Sequence, residues 1–503
     1  MQTLDPMQTP AKSPAKSYNM DDWRSGYRSQ PEEFDYWIDD IDGEIPADLT
    51  GTYFRNGPGL LDINGHPVKH PFDGDGMVSA IAFQDRQAYY RNRFVRTQGY
   101  VAEQQAGKPL YRGVFGTQRP GGPFANAFDL QLKNIANTNI LFWGDKLLAL
   151  WEAAEPHRLD PRTLETLGLD HLDGLLKAGD PFSAHPRIDP TGERTGGQPC
   201  LVNFAVKTGL SSTISIYEFD PKGRLVHQQK RSIPGFAFLH DFAITPNYCI
   251  FFQNPVSFNP FPFLMGLKGA AECIALNPKQ STRAILMPRD GKSEMQTLEI
   301  PPCFVFHHAN AFEQDGKVMV DSVCYSDFPS LDGGEYAEVD FDQVPAGKLW
   351  RFTLDPANGT SESHPLINRC CEFPVLHPNH VGRPYRYLYI GTAHQSSGNA
   401  PLQALLKYDL ETGTETVYSV APRGFAGEPI FVPRPQGQAE DDGWVLLQTY
   451  NAATRKSELH ILTAQDLAPV ATLKLKHHIP YGLHGSFVPQ YFGPPISHVA
   501  HSD

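Results

Sequence analysis

Nineteen histidines are spread through this 503-residue chain, and four of them stand where a solvated imidazole would not. His185 lies in Phe182-Ser183-Ala184-His185-Pro186, His240 in Phe238-Leu239-His240-Asp241-Phe242, His307 in Phe304-Val305-Phe306-His307-His308, and His484 in Tyr481-Gly482-Leu483-His484-Gly485. Each sits among apolar residues at the edge of a short strand pattern. One such histidine is ordinarily a core residue satisfied by a backbone carbonyl. Four of them, far apart in sequence and therefore on different hairpins, could meet only near a common axis, where their ring nitrogens would bind a transition metal. Imidazole suits iron, copper, zinc and nickel alike, and it disfavours magnesium and calcium. The remaining histidines need no such explanation: His157, His227, His364 and His460 lie in polar or turn settings and are expected to be solvated.

Three carboxylates are equally out of place. Glu152 follows Leu148-Ala149-Leu150-Trp151, Glu372 stands in Cys371-Glu372-Phe373-Pro374, and Glu428 stands in Ala426-Gly427-Glu428-Pro429. A carboxylate inside an apolar strand is costly unless something pairs with it. A salt bridge or a turn contact would serve. The sharper expectation is that each accepts the Nδ1 proton of a ligand histidine, which fixes the tautomer and aims Nε2 at the metal.

The elements that must carry these residues are strands. From Gly51 onward, short runs of β-branched, aromatic or leucine residues alternate with turns rich in Asp, Pro, Asn and Gly. Examples are Ile214–Phe219 before Asp220-Pro221-Lys222-Gly223, Leu349–Leu354 before Asp355-Pro356-Ala357-Asn358-Gly359, and Ala404–Leu410 before Glu411-Thr412-Gly413-Thr414. Helical pattern is confined to Met20–Arg28 and a weaker stretch over Pro161–Ala178. An all-β chain of this length is most easily built by radial repetition. A propeller of seven blades is expected over residues 18–503 as one domain, although periodicity alone does not fix the number of blades. Residues 1–17 are too polar and small to pack and are expected to form a disordered tail. Long insertions such as Gly113–Pro123 and Asn254–Gly266 would gather on one face and roof a cavity.

The formal charge of −13 speaks against a nucleic-acid partner, which needs a basic surface. Seven cysteines without a CxxC pair support neither a disulfide framework nor a thiolate-rich metal site, and a reducing compartment is the simpler reading. No secretory signal and no spanning helix can be read, so a cytoplasmic location, at most peripheral on membranes, is expected. The segment Phe258–Leu267 is a candidate for touching a membrane, or for folding down as a lid.

Tyr53-Phe54-Arg55-Asn56-Gly57-Pro58, His70-Pro71-Phe72-Asp73-Gly74-Asp75-Gly76-Met77, Phe306-His307-His308-Ala309-Asn310 and Gly427-Glu428-Pro429 together resemble the hallmarks of carotenoid cleavage oxygenases. The resemblance runs over nearly the whole chain. It implies a seven-bladed propeller whose long loops and short helices form a dome over an axial iron(II), held by His185, His240, His307 and His484, with dioxygen as co-substrate. It puts the ligand first in the His307-His308 pair. It places Glu152, Glu372 and Glu428 behind the ligands and Thr138 beside an open coordination position. It suggests Tyr27, Phe72, Phe115, Trp151, Phe238 and Phe306 as the lining of a tunnel for an apolar polyene. The implied reaction is oxidative cleavage of one double bond of an apocarotenoid, giving retinal-type and shorter aldehydes. Relatives in such a family could instead act on stilbenes, on another carotenoid bond or on retinoid esters. A propeller serving only as a binding platform would need none of these histidines and glutamates.

Overall fold

The computed structural model describes residues 16–329 and 339–496. Seven antiparallel sheets of four or five strands follow one another along the chain, with two small two-stranded ribbons inserted. The strands at one edge of each sheet follow one another around a ring: Asn139–Trp143, Arg187–Asp189, Ala243–Ile244, Phe304–Gln314, Cys371–Val375, Gly424–Pro433 and Gly485–Val488, with the Asn139 side chain donating to the Ala184 carbonyl just ahead of the second of them. The protein is therefore a seven-bladed β-propeller, with these as its inner strands. The ring closes by mixing the two ends of the chain. Gly485–Val488 pairs with Gly51–Leu60, so the first blade takes its innermost strand from the C-terminus, while Ile41–Gly43 adds an outer strand to the last blade beside Pro469–Lys474.

The expected hairpins recur as Ser211–Phe219 with Leu225–Pro234, Lys348–Asp355 with Thr360–Ile367, and Ala404–Asp409 with Glu415–Ser419. Met20–Arg24 is a helix whose first turn is capped by the Asn19 side chain accepting from the Asp21 and Asp22 N–H groups. The second helical expectation is corrected. Within Pro161–Ala178 the chain instead forms the strand Thr166–Leu169, paired with His157–Leu159, and Leu164, Gly168, Leu172, Asp173 and Gly174 all take positive φ. A run of left-handed residues cannot propagate a right-handed helix. Of the expected tail, residues 1–15 lie outside the described ones, whereas Lys16 pairs with Asp342 at 3.0 Å and Ser17 donates to the Gln403 side chain.

The apolar core lies between blades. One cluster of buried side chains occupies each blade interface, such as Phe252, Leu286, Val320 and Phe352 between the fourth and fifth blades. At roughly 1.5–3 kcal/mol per fully buried large aliphatic or aromatic side chain, these wedges supply the cohesion. The axis is then free to be polar. Two histidines expected to be solvated are in fact buried inside blades. His157 sits on its strand, and His460 is met by the Thr449, Tyr418 and Thr472 hydroxyls. Local polarity of sequence is a poor guide where neighbouring strands supply the hydroxyls.

Candidate metal centre

Every inner strand brings one of the singled-out residues to the hub. Thr138 immediately precedes Asn139–Trp143, His185 precedes Arg187–Asp189 and His240 precedes Ala243–Ile244. His307, Glu372 and Glu428 lie within their strands, and His484 directly precedes Gly485–Val488. Glu152 enters from the second strand of its blade, Lys146–Leu150. The three in-strand sites share a device. Pairing breaks register between Val305 and His308, between Glu372 and Pro374, and between Ala426 and Pro429. A bulge re-aims a side chain out of the pleat, and here each one falls at a hub residue.

One ring nitrogen from each of His185, His240, His307 and His484 lies within 4.8 Å of the others. The His185 and His484 Nε2 atoms are 3.1 Å apart, and His307 Nε2 is buried with no hydrogen-bond partner. The opposite ring nitrogens face carboxylates: His240 Nδ1 to Glu152 at 2.5 Å, His307 Nδ1 to Glu372 at 2.6 Å, and His484 Nδ1 to Glu428 at 2.7 Å. His185 Nδ1 has no such partner. The neighbouring His308 points elsewhere, with its Nδ1 on the Ser322 hydroxyl at 2.8 Å.

The carboxylates are themselves held. Glu372 accepts from the Tyr325 hydroxyl at 2.9 Å and from the Phe373 N–H, and Glu428 accepts from Arg55 Nη1 at 3.0 Å and from the Gly485 N–H at 3.0 Å. Burial pushes both carboxyls up, but the facing imidazoles and these donors bring them below the ordinary carboxylate range. His185 is held far below the ordinary imidazole range by burial and then by its three sister rings. His484 is also lowered, by burial first and against the pull of Glu428, whose charge Arg55 balances. For His307 burial works downward, but Glu372 outweighs it and raises the ring.

This donor set fits a divalent transition metal. Nitrogens bound about 2.1 Å from one ion at right angles lie about 3 Å apart, as the His185 and His484 atoms do. Hydrogen-bonded Nδ1 atoms leave Nε2 lone pairs for the ion, and three carboxylates offset its charge. Thr138 is buried at the same place: its carbonyl accepts the His484 N–H, and its hydroxyl donates to the Asn137 side chain.

The aromatic residues expected to line a tunnel fall into separate groups. Phe306 packs edge-on to His240 at 5.2 Å between ring centroids, and Phe238 joins it through Phe304 and Phe328. Phe72 and Phe115 meet at 5.3 Å, where buried Asp73 accepts the Phe115 and Thr117 N–H groups. Trp151 packs with Val114, Leu132 and Ile135. Tyr27 lies apart from these, against Trp23 and Tyr481.

Three hub residues escaped the sequence reading. Phe373 packs its ring 5.5 Å from both His307 and His484 and holds φ at 59°, unusual for a residue with a side chain. Its only trace was the apolar-acid-aromatic run around Glu372. Tyr325 ends a strand that reads as ordinary core. Arg55 lay within the quoted Tyr53–Pro58 segment, and a charged side chain directly after Tyr53-Phe54 in a strand pattern is the signal that could have found it.

The comparisons agree with one another. Residues 27–489 match the family model described as retinal pigment epithelial membrane protein. Apocarotenoid-15,15'-oxygenase of Synechocystis sp. is 59% identical over 483 residues, covering 95% of this chain and 98% of its own. Lignostilbene-alpha,beta-dioxygenase isozyme III of Sphingomonas paucimobilis is 30% identical, over 89% of this chain and 93% of its own. The crystal structure of cobalt-substituted Synechocystis ACO superimposes with a TM-score of 0.93 at 58% identity, covering 94% of this chain and 99% of that one.

Proposed function

We propose a reaction from the premise that this chain belongs to the retinal pigment epithelial membrane protein family of carotenoid oxygenases: it is a dioxygenase that cleaves one double bond of an apocarotenoid. The observation that carries the site is the convergence of four imidazoles, three of them backed by carboxylates, at the propeller axis. His185, His240, His307 and His484 would hold iron(II). When bound there, that ion supplies the one-electron chemistry that dioxygen needs to react with a closed-shell polyene.

The chain's own residues position and exclude. Glu152, Glu372 and Glu428 keep three rings oriented, Thr138 limits access beside the hub, and Phe306, Phe238, Phe72, Phe115, Trp151 and Tyr27 offer flat apolar faces along which a polyene would lie. Which bond is cut follows from which bond is held at the axis. Two oxygen atoms from one dioxygen replace the C=C bond, giving two carbonyl products and leaving no proton to dispose of. Incubation with an apocarotenal under ¹⁸O-dioxygen should give retinal and a shorter aldehyde, each carrying one label when trapped before exchange with water. Cleavage of a stilbene in preference to every apocarotenal offered would overturn the substrate reading.

The substrate arrives from a membrane. The described residues contain no helix long and apolar enough to span one. Phe258–Leu267 contains the short helix Pro260–Leu264, whose Leu264 carbonyl accepts the Phe128 N–H, two residues beyond a second short helix, Gly122–Asn126. Arg112, fully buried, ties the two insertions by donating to the Asn126, Asp129 and Lys268 carbonyls and stacking 4.2 Å from Phe263. Phe124, Phe128, Leu130, Phe261, Met265 and Leu267 are left exposed along these two insertions. Such an apolar patch dips into a leaflet without spanning it. The protein should float with phosphatidylcholine liposomes, and Phe128→Ser with Phe261→Ser should abolish flotation while sparing turnover of detergent-dispersed substrate. Absence of flotation by the unaltered protein would dismiss membrane delivery.

A further inference from the structure

His185 is the exception among the four rings. Its Nδ1 is buried without a partner, whereas the other three Nδ1 atoms each meet a carboxylate. A ring lacking that tether must be placed by the backbone that carries it. Two residues further on, the Arg187 guanidinium crosses to the two following blades. Its Nε donates to the Phe242 carbonyl at 2.9 Å, and its Nη2 donates to the His308 carbonyl at 2.8 Å and to Asp241 Oδ2 at 2.5 Å. Asp241 is buried, and its other contacts run along the same strands: Oδ2 accepts the His308 N–H at 2.8 Å and Oδ1 accepts the Phe242 N–H at 2.7 Å. Every partner in this network is a residue one or two positions after a hub histidine: Arg187 after His185, Asp241 and Phe242 after His240, and His308 after His307.

We propose that Arg187 and Asp241 form a clasp that fixes the mutual placement of His185, His240 and His307, and thereby sets the affinity and ligand geometry of the metal site. The clasp rests on reading the four rings as metal ligands. Both residues are positioning residues. The planar guanidinium is suited to the task because its fork donates in several fixed directions at once, which a lysine ammonium on a flexible stem cannot reproduce. Partners that orient ligands in this way typically change metal affinity 10- to 100-fold when removed.

Cobalt(II) is the probe, because its visible d–d bands report ligand number and geometry. The unaltered metal-free protein, Asp241→Asn and Arg187→Lys are titrated with cobalt(II), and the melting temperature of each metal-free form is recorded. Asp241→Asn should weaken cobalt binding about 10- to 100-fold and alter the band intensities. Arg187→Lys, which keeps the positive charge, should give a smaller loss with the same direction of spectral change. If both variants fold and bind cobalt with the affinity and spectrum of the unaltered protein, the clasp serves stability alone and the proposal is overturned, whatever happens to the melting temperature. If Asp241→Asn does not fold, Arg187→Lys decides by the same criterion. Failure of the unaltered protein to bind one equivalent of cobalt would instead sink the four-histidine reading itself.

Discussion

His484→Ala removes metal retention and turnover together, in a protein that still folds. The His484 Nε2 lies 3.1 Å from that of His185, so its loss strips one of the four converging donors from the hub. The fold survives because the residues behind it remain satisfied: Glu428 keeps Arg55 and the Gly485 N–H, and the strand Gly485–Val488 still pairs with Gly51–Leu60. Metal content of the purified protein, product yield and circular dichroism check the three parts of this expectation. One full equivalent of iron retained by the variant, with turnover close to normal, would remove His484 from the ligand set. His240→Ala should behave alike.

The second large effect is a ranking among the glutamates. Glu428→Gln keeps the shape but removes the charge facing Arg55, whose side chain is only 2% exposed. Leaving one member of a buried ion pair uncompensated costs about 3–5 kcal/mol, so this variant should lose stability as well as metal. Glu372→Gln faces no arginine; it disturbs the His307, Tyr325 and Phe373 contacts and should weaken metal affinity or activity about 10- to 100-fold without unfolding the chain. Glu152, with 30% of its side chain exposed, touches His240 where water can substitute, and its Gln variant should be the mildest. Thermal denaturation and metal titration of the three variants establish the order. A Glu152→Gln variant as damaged as Glu428→Gln would contradict the role given to Arg55.

The strands and the hub residues were legible because each leaves a local mark. Alternating apolar runs between turn residues announce hairpins, and an ionisable side chain inside an apolar run announces a buried partner. His185, His240, His307, His484 and the three glutamates all carried that second mark. What the sequence could not reveal was pairing across blades. Which glutamate meets which histidine depends on bulges at Val305–His308, Glu372–Pro374 and Ala426–Pro429, which leave no periodic trace. Phe373 and Tyr325 looked like core because they are apolar or amphipathic residues in apolar surroundings, and only their rotation toward the hub distinguishes them. The misread stretch Pro161–Ala178 carried helix-compatible leucines, but its left-handed residues were invisible before the backbone was known.

The four rings hold a single ion if diffraction data, collected at the iron absorption edge from crystals grown anaerobically with ferrous salt, contain one anomalous peak. The peak should lie among the Nε2 atoms of His185, His240, His307 and His484. A peak elsewhere in the molecule, or no peak at the axis of a protein whose four rings remain in place, would contradict the account.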